Sequence, residues 1–186
     1  MKRYKQNEID ALALILKNDG VISVPTDTVY GLCACINKKQ AYDKLSKIKN
    51  RPLNKSFPVM CLNEEQIRSI AIVDDNAAKL IRAFMPGPIT LVLHKKPEAF
   101  SYINNAGEKT SDELAVRLAP SNVLEELLQK IGTPLFLTSA NISGDLTCTT
   151  LEDIENTFPN IDGILEGDIA KSEASTIVDC TSSLIK

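Results

Sequence analysis

Three short polar stretches hold most of the side chains that could do chemistry. Pro25-Thr26-Asp27-Thr28-Val29-Tyr30-Gly31 sets two threonine hydroxyls, a carboxylate and a glycine close together. Hydroxyls beside exposed backbone N–H groups suit an oxyanion or an amino acid, though the same residues also make a capped turn at a strand end. Lys49-Asn50-Arg51-Pro52-Leu53-Asn54-Lys55 places three cations around a proline-stiffened turn. Arginine gives bidentate contacts and lysine a point charge. At about 1.5–3 kcal/mol per charge-assisted hydrogen bond, two or three would hold a triphosphate; the alternative is a solvated basic surface. Thr138-Ser139-Ala140-Asn141-Ile142-Ser143-Gly144 offers hydroxyls and an amide for phosphate oxygens or a ribose, or else a helix-capping loop. Arg117 stands inside the apolar run Leu114–Leu118. A buried arginine is costly without a partner, so it either pairs with an internal acid or faces a cavity that takes an anion.

Other chemistries lack their residues. There is no GxxxxGK[ST] and no GxGxxG, so neither a P-loop nor a dinucleotide fingerprint is present. His94 is the one histidine, which excludes multi-histidine metal sites and leaves a Ser/His/Asp or Cys/His nucleophile with little support. The five cysteines (Cys33, Cys35, Cys61, Cys148, Cys180) contain no CxxC and read as small buried hydrophobes in a reducing compartment, the cytoplasm.

These loops need rigid elements to hold them. Ile9, Leu12, Ala13 and Leu16 share one helical face, with Asn7 as a candidate cap and Asp19-Gly20 as the stop. Val21–Val24 and Val29–Ile36 read as strands on either side of the first polar loop. Ala41, Leu45 and Ile48 mark a helix over Lys38–Lys49, leading into the cationic loop, where Pro52 disfavours helix at Arg51. Phe57–Leu62 is a strand. Asn76–Met85 is a helix with Ala77, Leu80, Ile81 and Phe84 inward, stopped by Pro86-Gly87-Pro88. Strands follow at Ile89–Leu93 and Leu114–Leu118. Ser121 caps a helix carrying Leu124, Leu127, Leu128 and Ile131; Pro134–Leu137 is the strand before the third loop; Thr150 caps a short helix; Ile161–Leu165 and Thr176–Asp179 are late strands. Helices and strands mix along the chain without clean βαβ alternation, so the class is α/β (α+β) with one mixed sheet.

At 44% hydrophobic and 24% charged residues the chain is ordinary globular material, one domain over 1–186. Its longest apolar run, Ala11–Leu16, is far short of the roughly 20 residues of a membrane span, and its start lacks a signal-peptide pattern. The formal charge of −3 is uneven: Lys38–Lys55 holds seven basic residues against Asp43 alone, while Asp145–Glu173 holds eight acids against Lys171. A basic segment in an acidic chain suggests a local anionic ligand.

In order, Pro25-Thr-Asp-Thr-Val-Tyr-Gly-Leu32, Lys49-Asn-Arg-Pro52, Pro86-Gly-Pro-Ile-Thr-Leu-Val-Leu93, Ala115-Val-Arg117, Ser139-Ala-Asn-Ile-Ser-Gly144 and Ser175-Thr-Ile177 resemble the motifs of the YrdC family of threonylcarbamoyl-AMP synthases. The likeness spans nearly the whole chain. It implies a twisted mixed β-sheet with flanking helices around a large concave cavity, in the short single-domain form. It implies synthesis of threonylcarbamoyl-AMP and pyrophosphate from L-threonine, bicarbonate and ATP, feeding threonylcarbamoyladenosine modification of tRNA through downstream transfer proteins. By position, Lys49 and Arg51 would be catalytic. Thr28 and Arg117 would meet threonine or its carbamate. Lys49, Arg51, Lys55, Ser139, Asn141, Thr147 and Ser175 would meet ATP, with Thr176 in the same late motif as Ser175. Mg2+ would arrive with ATP, since no dedicated carboxylate cage is visible. The family's arginine beyond the Ser-Thr-Ile strand has no counterpart before Lys186, and Met60 stands where longer relatives often carry a histidine. A second reading is a non-catalytic protein of the same shape that binds tRNA or double-stranded RNA through Lys38–Lys55. Against it, aromatic residues make up only 5% of the chain, a thin platform for stacking bases. A carbamoyl-adenylate enzyme of hydrogenase maturation would need zinc-finger and acylphosphatase modules that these residues do not provide.

Overall fold

The computed structural model describes residues 1–51, 57–99, 112–169 and 175–182. Among these residues nine strands form one mixed sheet: β1 (Arg3–Tyr4), β2 (Ile22–Pro25), β3 (Tyr30–Cys35), β4 (Val59–Cys61), β5 (Ile89–His94), β6 (Glu113–Leu118), β7 (Leu135–Ser139), β8 (Gly163–Leu165) and β9 (Thr176–Asp179). Their spatial order is β1-β8-β2-β3-β7-β4-β6-β5-β9. The pairs β1–β8, β8–β2, β4–β6 and β5–β9 are parallel, and the others antiparallel.

The helices are α1 (Ile9–Lys17), α2 (Lys39–Ile48), α3 (Glu64–Ile70), α4 (Asp75–Phe84), α5 (Asn122–Ile131) and α6 (Leu151–Thr157). Ser121 accepts from the Leu124 N–H, and Thr150 forms a capping box with Asp153, as their positions suggested. Asn7 caps nothing: it lies in a 3-10 turn, Gln6–Glu8, whose Glu8 carboxylate accepts from the Lys5 N–H. Helix α3 is absent from the sequence reading. Asn63 caps it through the Gln66 N–H, and seven residues with two inward isoleucines are too few for a clear periodic signal. Phe84 was expected inward but is 58% exposed. It is the last residue of α4, and the turn at Pro86 carries the chain away before that side chain meets the core.

Side chains alternate faces along a strand. Leu32 and Ala34 of β3, Val59 and Cys61 of β4, Leu91 and Leu93 of β5, and Val116 of β6 join one core with α2, α3, α4 and α6. Cys33 and Cys35, Met60 and Leu135 point the other way, into a core covered by α1 and α5. All five cysteines are free thiols; burial pushes Cys35 up to about 11 and Cys61 up to about 12. Among the described residues no side chain of β5, β6 or β9 joins the α1/α5 core. One face of the sheet is therefore covered and the other only partly. Gly31, Pro58, Thr90, Arg117, Leu137 and Ser139 fall on the partly covered face by the same alternation.

Gly31 pairs with Ser139 across β3 and β7. A Cβ there would lie 2.6 Å from Leu137 Cδ1 and 3.2 Å from the Thr138 carbonyl oxygen. Gly31→Val should lower the unfolding free energy by about 1–3 kcal/mol through overpacking. Urea unfolding reads this as a lower midpoint; an unchanged midpoint would mean that Leu137 yields without cost.

Candidate functional site

The partly covered face holds a cavity of about 250 Å3. Its lining draws on the β2–β3 loop (Thr26, Thr28), β5 (Thr90), β6 (Arg117), β7 (Thr138, Ser139), Ser175 just before β9, and Arg51 after α2. Arg51, Arg117, Thr28, Ser139 and Ser175, far apart in sequence, thus meet in one place. Lys49 and Asn141 lie behind the lining, and Thr147 is not part of it. Lys55 lies outside the described residues.

Arg117 satisfies both readings of a buried arginine at once. Its Nη2 donates to Asp27 Oδ2 at 2.8 Å and to the Gly87 carbonyl at 2.9 Å. Its Nε is buried with no hydrogen-bond partner among the described residues. The carboxylate and carbonyl hold the guanidinium against the cavity wall, and the remaining donor capacity suits an anion there. A Cβ at Gly87 would collide with the Phe84 carbonyl, so the turn that presents this acceptor needs glycine there. Met60 is buried and is the strand partner of Arg117.

Arg51 is half-buried, with its guanidinium 5.0 Å from the centre of the Phe57 ring. Desolvation by burial pushes its pKa down. Its backbone N–H donates to Ser46 O at 2.9 Å, so the end of α2 sets its place. Thr28 is buried, and its Oγ1 lies 3.1 Å from Thr26 Oγ1. Thr26 sends its own proton to Val29 O at 2.6 Å, which makes Thr28 the donor in that pair and leaves Thr28 lone pairs for the cavity. Ser175 Oγ lies 2.9 Å from Thr90 Oγ1. Behind the cavity, Ser139 Oγ donates to Asn141 Oδ1 at 2.6 Å, and Lys49 Nζ donates to the same oxygen at 3.0 Å.

The sequence placed Asp27 in the first polar loop and Gly87 and Thr90 in the Pro86–Leu93 motif but gave none of the three a role of its own. Thr90 left a trace, being the polar position in Ile-Thr-Leu-Val-Leu. Asp27 and Gly87 act through Arg117, which is 90 and 30 residues away from them, and no local signal marks such a pair.

Two other cavities compare poorly. One of about 490 Å3 is larger and shares Thr26, but its charged lining residues are the acids Asp27, Glu126 and Asp168, wrong for a polyphosphate. Another of about 410 Å3 is lined by Lys44, Lys47 and Thr157–Asn160. Much of the basic run of α2 is compensated: Lys38 pairs with Asp19, Lys39 with Asp43, and Lys44 with Asp162. Among the described residues no group of three or more His, Cys, Asp or Glu side chains is placed to hold a metal ion, and no helix is long and apolar enough to cross a membrane.

Comparison with known proteins identifies the family. The Sua5/yciO/yrdC family model, described as telomere recombination, matches residues 14–186. A threonylcarbamoyl-AMP synthase of Yersinia enterocolitica is 32% identical, over 85% of this chain and 85% of its own. P. abyssi Sua5 complexed with L-threonine superposes with a TM-score of 0.86 at 27% identity, covering 98% of this chain and 54% of that one. The chain therefore spans about half of that longer relative. E. coli YciO superposes at 0.84 with 26% identity, over 98% of this chain and 88% of its own. With a family model matched over most of its length, and with the cavity built from the very motifs that suggested it, the chain belongs to the Sua5/YciO/YrdC family.

Proposed function

We propose that this chain is a threonylcarbamoyl-AMP synthase and that the 250 Å3 cavity is where L-threonine, bicarbonate and ATP meet. The observation that carries the reading is the convergence of Arg51, Arg117 and six hydroxyl residues, from the β2–β3 loop, β5, β7 and the residue before β9, on one cavity. The threonine amine and bicarbonate form a carbamate and water. A carbamate oxygen attacks the α-phosphate in line, the bond to the β-phosphate oxygen breaks, and pyrophosphate leaves. That chemistry needs cations and close alignment, not a covalent nucleophile. Arg117, anchored by Asp27, suits the carboxylate or carbamate. Thr28 and Ser175 flank it, and Arg51 meets the phosphates. The nucleotide is larger than the cavity and would extend over its rim. Mg2+ would come on the phosphates; the lining offers it hydroxyl oxygens but no carboxylate cage. Walls that exclude water protect the carbamate and the mixed anhydride, both of which hydrolyse. The product would pass to proteins that modify tRNA, in a reducing cytoplasm suited to five free thiols. Pairing of the α2 lysines with acids leaves the RNA-binding reading the weaker one.

Purified protein given Mg-ATP, bicarbonate and single amino acids should release pyrophosphate only when both threonine and bicarbonate are present. No release, with salt-sensitive tRNA binding, would replace this reading with the RNA-binding one. Arg51→Ala should cost at least about 2 kcal/mol of transition-state stabilisation, roughly 30-fold in rate; unchanged turnover would remove it from the site. Arg117→Leu should weaken use of threonine more than use of ATP. Asp27→Asn should do the same to a smaller degree, because the guanidinium loses its anchor but stays in place. Equal losses for both substrates would make Arg117 a structural residue.

A further inference from the structure

Lys49 and Arg51 stand two residues apart, yet the structure uses them differently. Arg51 lines the cavity and Lys49 does not. Lys49 is only 2% exposed. An ammonium group carries three protons and no acceptor. Three oxygens take them here: Ser139 O at 2.6 Å, Asn141 O at 2.8 Å and Asn141 Oδ1 at 3.0 Å. The Lys49 carbonyl in turn accepts from the Ser143 N–H at 2.9 Å. One residue thus ties the start and the middle of the loop that follows β7.

The consequences pass through Asn141. Only an oxygen can face an ammonium, so Lys49 decides which end of the amide is Oδ1. That oxygen also accepts from Ser139 Oγ at 2.6 Å, while Asn141 Nδ2 donates to Asp145 O at 2.9 Å. The Ser139 proton therefore points at Asn141, and its lone pairs are left for a ligand in the cavity. Among the described residues Lys49 forms no salt bridge with a carboxylate, and its charge is met there by three neutral oxygens. Burial foremost, then repulsion from Arg51, pushes the ammonium down to about 8, with Cys148 acting in the opposite sense.

We propose that Lys49 is a positioning residue and not a substrate contact: it holds the Ser139–Asp145 loop and sets the direction of the Ser139 hydroxyl, while Arg51 meets the ligand. This rests on the synthase reading for the ligand's identity but not for the role itself. The first test is a crystal structure of the wild-type chain with Mg2+ and a non-hydrolysable ATP analogue. Nζ should keep its three protein oxygens; Nζ within about 3.2 Å of a phosphate oxygen would overturn the proposal. The second is backbone amide exchange in Lys49→Met. Residues 140–145 should exchange about tenfold faster or more while α1 and α5 are unchanged, and an unaltered loop would overturn the proposal. The third is kinetic. Lys49→Met should lower kcat by about tenfold or more and move the KM for ATP by less than about threefold, whereas a raised KM with kcat intact would mark a direct ground-state contact and overturn it. If Lys49→Met does not fold, the wild-type structure decides. The first two readouts need no turnover, so an absence of pyrophosphate release would overturn the synthase reading without touching this one.

Discussion

A cation taken out of water has to be met by acceptors, and this protein meets two of them by different means at the same place. Arg117 is given a carboxylate and a backbone carbonyl. Lys49 is given three neutral oxygens of one loop. Each arrangement joins segments distant in sequence: β6 to the β2–β3 loop and the turn before β5, and the end of α2 to the loop after β7. The polar half of the molecule is organised around these joins. Removing either set of acceptors would leave a buried charge without compensation, a larger penalty than any single surface pair can offset.

The sheet explains why a cavity exists beside them. Four helices pack over one face, so its strands carry apolar residues at alternate positions up to β5 and β6. On the other face α1 and α5 cover the strands from β1 to β4 in spatial order, and no side chain of β5, β6 or β9 among the described residues joins that core. Polar residues are tolerable on that part of the sheet because they are not packed under a helix, and Thr90, Arg117 and Ser139 occupy it. Gly31 keeps the floor low beside Leu137. Apart from Arg51, which follows α2, the lining residues sit on strands or within a residue or two of their ends, which gives the cavity the rigid walls that alignment of three substrates demands.

Local charge and local function separate in this chain. The basic run around α2 looks like a phosphate-binding surface when it is counted along the sequence. In space Lys38, Lys39 and Lys44 find acids from α1's end, from α2 itself and from the turn before β8. These pairs are well exposed and contribute little to stability, but they lower the field that a polyanion would meet. Among the described residues the cations on the cavity wall are the two arginines, with Lys49 placed behind them.

The sequence by itself determined the mixed α/β class, most strands and helices, and the polar loops that bear the chemistry, because periodicity, caps and Pro/Gly stops are local properties. It suggested the family as well, through six motifs spread in order along the chain, and the family model matches residues 14–186. It did not reveal α3 or β1, which are too short to show a period. It placed Phe84 inward where the turn at Pro86 leaves it exposed. Only the tertiary structure decided that Arg117 has an acid and a cavity together, that Asp27 and Gly87 hold it there, and that Lys49 turns its protons to the protein while Arg51 lines the cavity. These outcomes depend on which strands lie side by side and on which oxygens surround a buried donor. Such distances are set between residues 30 to 90 positions apart and leave no mark on the local pattern of either.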